Sequence, residues 1–85
     1  PADEVTFAEV PYKIVLGFAA FWREINPGLR LYILGFPVGN ERPVTTIPGV
    51  AAMQPFERGY LVYQPGENPQ VTVAARALWP LLEAA

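Results

Sequence analysis

The chain has 85 residues, a formal net charge of −2, and 52% hydrophobic and 13% aromatic residues. Its five arginines and single lysine are scattered along the sequence, so no basic stripe is present for phosphate contacts, and nucleic acid is excluded as a predicted partner. Cysteine, histidine and serine are absent from the sequence, which excludes disulfides, thiolate metal sites and the usual nucleophile–base pairs.

These absences predict a non-catalytic chain with no catalytic residues, no metal site and no cofactor. The acidic residues are dispersed and do not follow the spacing of a calcium loop. A glycosidase needs only two carboxylates, which Glu41 and Glu57 could supply, but nothing in the sequence around them supports that chemistry.

The sequence also makes predictions about membrane insertion and domain organisation. It has no run of about 18 apolar residues, so no membrane span is predicted. It begins Pro1-Ala2-Asp3, without a methionine or a signal peptide, so we expect residues 1–85 to be one small domain excised from a longer protein.

The first predicted elements are an extended segment and an amphipathic helix. Residues 1–10 show no helical period and are expected to be extended. From Tyr12 to Ile25, apolar residues recur at spacings of three and four, as on one face of a helix, namely Ile14, Val15, Phe18, Phe21, Trp22 and Ile25. Asn26-Pro27-Gly28 ends this helix, and Trp22 is expected to pack against the second half of the chain near Phe56.

Less regular structure is predicted between this helix and the middle of the chain. Leu29 to Leu34 alternates loosely between apolar and polar residues, which predicts a short strand or an extended loop. Val38 to Gly49 contains several turn-forming residues, which predict an ordered surface loop.

A β-hairpin is predicted around the corner formed by Glu57, Arg58 and Gly59. Apolar residues precede this corner from Val50 and follow it to Tyr63, as on a half-buried pleated surface. Gly59 is expected to supply the positive φ that such a turn often needs.

The last predicted elements complete an α+β fold. Gln70 to Val73 is predicted to be a third strand, and Ala74 to Leu82 a short C-terminal helix or turn. The predicted architecture is one long amphipathic helix packed on a small antiparallel β-meander.

Two motifs resemble a known family. Leu34-Gly35-Phe36-Pro37, followed by Glu41 and then by Gln54-Pro55-Phe56-Glu57-Arg58-Gly59, resembles the LGFP-type repeat modules of secreted bacterial proteins. The order of the flanking motifs also matches, with Phe7-Ala8-Glu9 upstream, Phe18 and Phe21-Trp22 in the predicted helix, and Tyr63-x-Pro65 downstream, so the resemblance covers about residues 7 to 74.

This resemblance implies a role at the cell envelope. Such modules accompany peptidases and glycan-degrading domains and are associated with attachment to the envelope. The resemblance therefore implies a non-catalytic accessory module, extracellular or at the cell surface, whose partner is a cell-wall glycan or another polysaccharide. The alternative is a structural or protein-interaction domain that packs against a neighbouring catalytic domain.

The chain departs from the family pattern in two respects. Where the modules usually have Glu-Thr-Gly-His, it reads Glu9-Val10-Pro11-Tyr12, so no role of that threonine or histidine transfers. It also holds one copy, whereas the modules tend to occur in several, so its sequence does not test avidity through linked copies.

Five residues are the candidate ligand contacts. Tyr32, Tyr60, Tyr63 and Trp79 either pack in the core or offer flat faces to a sugar ring. Arg58 either bonds to loop carbonyls or binds a glycan. Its neighbour Glu57 points to the other side of the strand, and we expect it to hold the turn in place.

Overall fold

The computed structural model describes residues 4–85 and is a mixed α+β structure with two antiparallel sheets and three α-helices. A small sheet pairs β1 (Glu4–Val5) with β2 (Ile14–Val15). A larger sheet has consecutive strands as neighbours, in the order β3 (Arg42–Pro43), β4 (Ala52–Phe56), β5 (Gly59–Tyr63) and β6 (Val71–Val73). The helices are α1 (Leu16–Glu24), α2 (Arg30–Ile33) and α3 (Trp79–Ala84). The predicted α+β class is confirmed.

The helix α1 is shorter than the sequence predicted. It begins at Leu16 and has nine residues, so the prediction of one long amphipathic helix from Tyr12 to Ile25 is wrong. Ile14 and Val15 instead pair with β1, a setting that suits β-branched side chains. Of the extended segment predicted before them, residues 1–3 lie outside the described residues, and Glu4–Val5 is a strand.

A helical turn replaces the strand or extended loop predicted for Leu29 to Leu34. The guanidinium of Arg30 ties this turn to the end of α1. Its Nε donates to the carbonyl oxygens of Trp22 at 3.0 Å and Ile25 at 3.1 Å, and its Nη2 donates to that of Arg23 at 2.9 Å. These carbonyls lie at the C-terminal end of α1, where intrahelical donors run out. These bonds cross the break at Asn26-Pro27-Gly28, so the alternation within residues 29–34 does not reveal them.

The larger sheet carries one hydrophobic cluster on each face. Side chains alternate along a strand, so Phe56 and Leu61 face α1 while Met53 and Val62 face the opposite side. The cluster under α1 consists of Ile14, Phe18, Ala19, Trp22, Leu34, Phe56 and Leu61. The second cluster, under residues 44–50 and α3, consists of Val44, Ile47, Val50, Met53, Val62, Ala74 and Leu82.

Trp22 lies where the sequence predicted. It is buried, and its ring stacks on that of Phe56 with the centroids 5.7 Å apart and an interplanar angle of 13°. This contact fixes α1 against the hairpin formed by β4 and β5.

The C-terminal residues cover the second face. A 3-10 turn (Arg76–Leu78) leads into α3, where Pro80 lies in the first turn, a position that does not require its missing N–H group. Leu82 is fully buried in the second cluster. This packing brings α3 beside the closed end of the hairpin.

Candidate functional site

A groove of about 580 Å³ lies at the closed end of the β4–β5 hairpin. We call it the corner groove. It is lined by residues of α2, the hairpin turn and the C-terminal helical segment, namely Tyr32, Ile33, Phe56, Glu57, Arg58, Gly59, Tyr60, Arg76, Trp79 and Glu83. Three separate parts of the chain therefore meet at this groove.

The floor of the corner groove is held by a backbone pairing between the hairpin turn and the Leu34-Gly35-Phe36 segment. The N–H of Glu57 donates to the carbonyl of Phe36 at 3.0 Å, and the N–H of Arg58 donates to that of Leu34 at 2.9 Å. In return, the N–H of Phe36 donates to the Oε1 of Glu57 at 2.9 Å. The expectation that Glu57 holds the turn agrees with this bond.

Gly35 is the residue that allows this close pairing. Its φ is 77°, in the left-handed region that side chains disfavour. A Cβ at this position would lie 2.6 Å from Oε1 of Glu57 and 2.8 Å from its Cβ. Gly59, in contrast, does not have a positive φ. The prediction that this glycine supplies a positive φ to the turn is therefore wrong. The space beside Gly59 is instead occupied by Trp79, whose Cζ2 would lie 3.4 Å from an added Cβ.

One wall of the corner groove is an aromatic and charged cluster, to which β5, the 3-10 turn and α3 contribute. The rings of Tyr60 and Trp79 meet edge to face with centroids 5.7 Å apart, and the Trp79 Nε1 donates to the Ala74 carbonyl at 3.3 Å. The Arg76 guanidinium lies over the Trp79 ring, with its Cζ 4.8 Å from the centroid. One face of Trp79 is therefore covered by Arg76.

Glu83 completes this wall through a hydrogen bond with Tyr60. The Tyr60 hydroxyl donates to Oε1 of Glu83 at 3.2 Å. Burial raises the pKa of the Tyr60 hydroxyl, and the nearby Glu83 carboxylate raises it further. This bond fixes the carboxylate against the wall.

The acids of the corner groove are hydrogen-bonded within the protein, whereas its arginines form no ion pair in the described part of the chain. Both acids accept hydrogen bonds from the protein itself, Glu57 from Phe36 and Glu83 from Tyr60. Neither Arg58 nor Arg76 forms an ion pair within residues 4–85, where the one ion pair joins Lys13 to Glu4. These two arginines thus line a groove whose acids are already engaged.

Four of the five predicted contacts line this groove. Tyr32, Arg58, Tyr60 and Trp79 come together there, and Tyr32 is 74% exposed. Tyr63 does not join them, because it lines a different cavity at the other end of β5. Tyr60 and Tyr63 are three residues apart on one strand, so their side chains point to opposite faces of the sheet.

Sequence reasoning missed Arg76 and Glu83. They lie three residues before and four residues after Trp79, which is the spacing of neighbours on one helix face. Extending the helical pattern around Trp79 in both directions would have found them.

The described residues limit the chemistry further. They include no group of three or more metal-ligating side chains that could hold an ion. No helix among them is long and apolar enough to cross a membrane.

Comparison with known proteins adds no relative. No family model matches the chain, and neither the curated proteins nor the solved structures contain a significant match. The likeness to LGFP-type modules therefore depends on the motifs at residues 34–37 and 54–59 and on their order along the chain.

Proposed function

We propose that this chain is a non-catalytic, LGFP-type accessory module of a secreted bacterial protein, which binds a cell-wall glycan or another polysaccharide in the corner groove. Its place of action is outside the cell or at the cell surface. The observation that carries this proposal is the meeting of Tyr32, Arg58, Tyr60 and Trp79 in one groove. These residues come from distant parts of the sequence.

The groove offers two kinds of contact that suit a glycan. Tyr32 is the most exposed of the ring side chains there and supplies a flat apolar face for a sugar ring. Arg58 and Arg76 supply planar sets of N–H donors for hydroxyl or carboxylate oxygens. Trp79 contributes to the side of the groove and does not stack on a sugar ring, because the Arg76 guanidinium covers one face of its indole.

Retention on insoluble polysaccharides tests the proposal. The isolated domain is incubated with peptidoglycan, cellulose, xylan and chitin, and the bound fraction is measured after sedimentation. We expect retention on at least one polymer. An absence of retention on all four would contradict the proposal.

Matched variants locate the binding surface. Tyr32→Ala and Arg58→Gln should each lower affinity about tenfold, the effect of losing one good polar or stacking contact. Arg23→Gln removes a guanidinium on α1 that lies outside the groove and bonds to the Glu4 carbonyl, so it should leave retention unchanged. Equal losses for Arg23→Gln and Arg58→Gln would point to net charge and not to the groove.

A second function is favoured by the surface of α2. None of the four residues of this helical turn is buried, and Leu31 and Ile33 are 46% and 40% exposed, next to Leu29 at 48%. Exposed apolar side chains grouped in this way are typical of protein contacts. The alternative is thus a structural or interaction domain that packs through α2 against a neighbouring catalytic domain. Under it, Leu31→Lys should disrupt that contact and leave polysaccharide retention at the parent's level.

A further inference from the structure

A second cavity, of about 380 Å³, lies at the open end of the β4–β5 hairpin. We call it the α1 cavity. Its lining is formed by Leu16, Gly17, Phe18, Glu41, Tyr63, Gln70 and Val71. Its volume falls in the range of about 300–1,000 Å³ that is usual for small-molecule sites. The corner groove shares none of these residues.

Glu41 is the one acidic residue of this lining. It is half-buried, and its carboxylate forms no ion pair in the part of the chain that the structure describes. Burial raises the pKa of the Glu41 carboxyl, because the charged form loses hydration. A cation that enters the cavity beside this carboxylate would stabilise its charged form by a charge-assisted hydrogen bond.

The rest of the lining is suited to an apolar body. Phe18 and Val71 present aromatic and branched aliphatic surface, while Tyr63 and Gln70 add polar groups. The cavity thus combines one uncompensated negative charge with an apolar wall.

Leu16 is the most unusual residue at this cavity. Its φ is 54°, a conformation that is unfavourable by about 1–2 kcal/mol for a residue with a Cβ. Its side chain is 62% exposed, although leucine normally gains stability by burial. Residues with strained backbone of this kind cluster at ligand clamps and other functional sites.

We infer that the α1 cavity binds a primary ammonium carried on an aliphatic body, with the ammonium at Glu41 and the aliphatic part against Leu16, Phe18 and Val71. This chemistry is shared by small alkylamines and by lysine side chains of peptides. The site is separate from the corner groove, so it stands or fails independently of polysaccharide binding.

Ligand titrations at pH 7 test the charge preference. The backbone amide signals of the ¹⁵N-labelled domain are followed while hexylamine, 1-hexanol, hexanoate or a lysine blocked at both termini is added. Hexylamine should shift the signals of Gly17 and Val71 and bind at least about tenfold more tightly than 1-hexanol, because a hydrogen bond to a charged group is the stronger kind. Hexanoate should cause no shift there. Tighter binding of blocked lysine than of hexylamine would identify a peptide as the source of the ammonium.

Two variants separate the contributions of charge and shape. Glu41→Gln should remove the preference for hexylamine over 1-hexanol, whereas Glu67→Gln, an acid outside the cavity, should keep it. Leu16→Gly should raise the melting temperature by relieving the backbone and should weaken hexylamine binding several-fold by removing apolar surface.

Equal binding of hexylamine and 1-hexanol by the parent domain, or no shift with any amine, would overturn the inference. So would an unchanged preference in Glu41→Gln, because the carboxylate would then not be the contact.

Discussion

Gln54 is a single side chain that ties three segments together. It is fully buried in β4, and its Nε2 donates at 3.0 Å to the carbonyl of Lys13 and at 3.0 Å to that of Gly39. Its Oε1 has no hydrogen-bond partner within residues 4–85. The amide nitrogen thus holds both the segment before β2 and the loop after Phe36-Pro37 against the hairpin.

We predict that Gln54→Glu destabilises the domain, and more at pH 7 than at pH 4. A neutral carboxyl can donate one of the two hydrogen bonds, whereas a carboxylate can donate neither and faces two carbonyl oxygens. The folded-state pKa of the introduced carboxyl is then raised above the usual glutamate value of about 4.3. The destabilisation therefore grows as the pH rises from the unfolded pKa through the folded one.

Thermal melting of the parent and Gln54→Glu at both pH values checks this expectation. The loss at pH 4 should be about 1–3 kcal/mol, the effect of an unmade buried hydrogen bond. A loss that is the same at both pH values would show that the side-chain nitrogen does not donate to those carbonyls.

We predict that Gly35→Ala is more harmful than Gly49→Ala. Both glycines have positive φ, 77° and 82°, so both substitutions introduce backbone strain of about 1 kcal/mol or more. At Gly35 the new Cβ also meets Glu57 at 2.6 Å, whereas at Gly49 it meets nothing within 4 Å. Chemical denaturation should show an additional loss of about 1–3 kcal/mol for Gly35→Ala. Equal losses would mean that the turn can move away from Glu57 without penalty.

At the scale of elements, the sequence predicted the hairpin better than the helix. The apolar runs around Glu57-Arg58 specify a two-strand pairing locally, and β4 and β5 pair from Ala52 opposite Tyr63 to Phe56 opposite Gly59. The predicted start of α1 is wrong because Ile14, which fits the apolar spacing of the helix, is buried as part of a strand. The spacing of apolar residues alone cannot distinguish a helix from a strand over the two or three residues at the end of an element.

We predict that Trp22→Ala destabilises the domain far more than Phe21→Ala. Trp22 is 4% exposed and stacks on Phe56, so its loss should lower the free energy of unfolding by about 3–5 kcal/mol. Phe21 is only partly buried, at the edge of the same cluster, and its loss should have a smaller effect. Urea denaturation of both variants measures the difference. If Trp22→Ala melted within a few degrees of the parent, the helix face assigned to the core would be wrong.

At the scale of the whole molecule, the hairpin separates two sites at its two ends. The corner groove lies at the turn, and the α1 cavity lies where β5 meets β6. The sequence could single out Tyr32, Tyr60 and Trp79 because rings with a polar tip can stay partly exposed, and Arg58 because it lies at the predicted turn. Tyr63 lies apart from them, as alternation along β5 implies for residues at an odd spacing from Tyr60.

Amide chemical-shift mapping with soluble oligosaccharides tests the central claim, that the corner groove binds glycan, most directly. The ¹⁵N-labelled domain is titrated with fragments of peptidoglycan, cellulose, xylan and chitin. The account predicts that at least one of them shifts the signals of Tyr32, Arg58, Gly59 and Tyr60 in a saturable way, and that Tyr32→Ala weakens this response. Saturable shifts confined to other parts of the chain, or no saturable shift with any fragment, would contradict it.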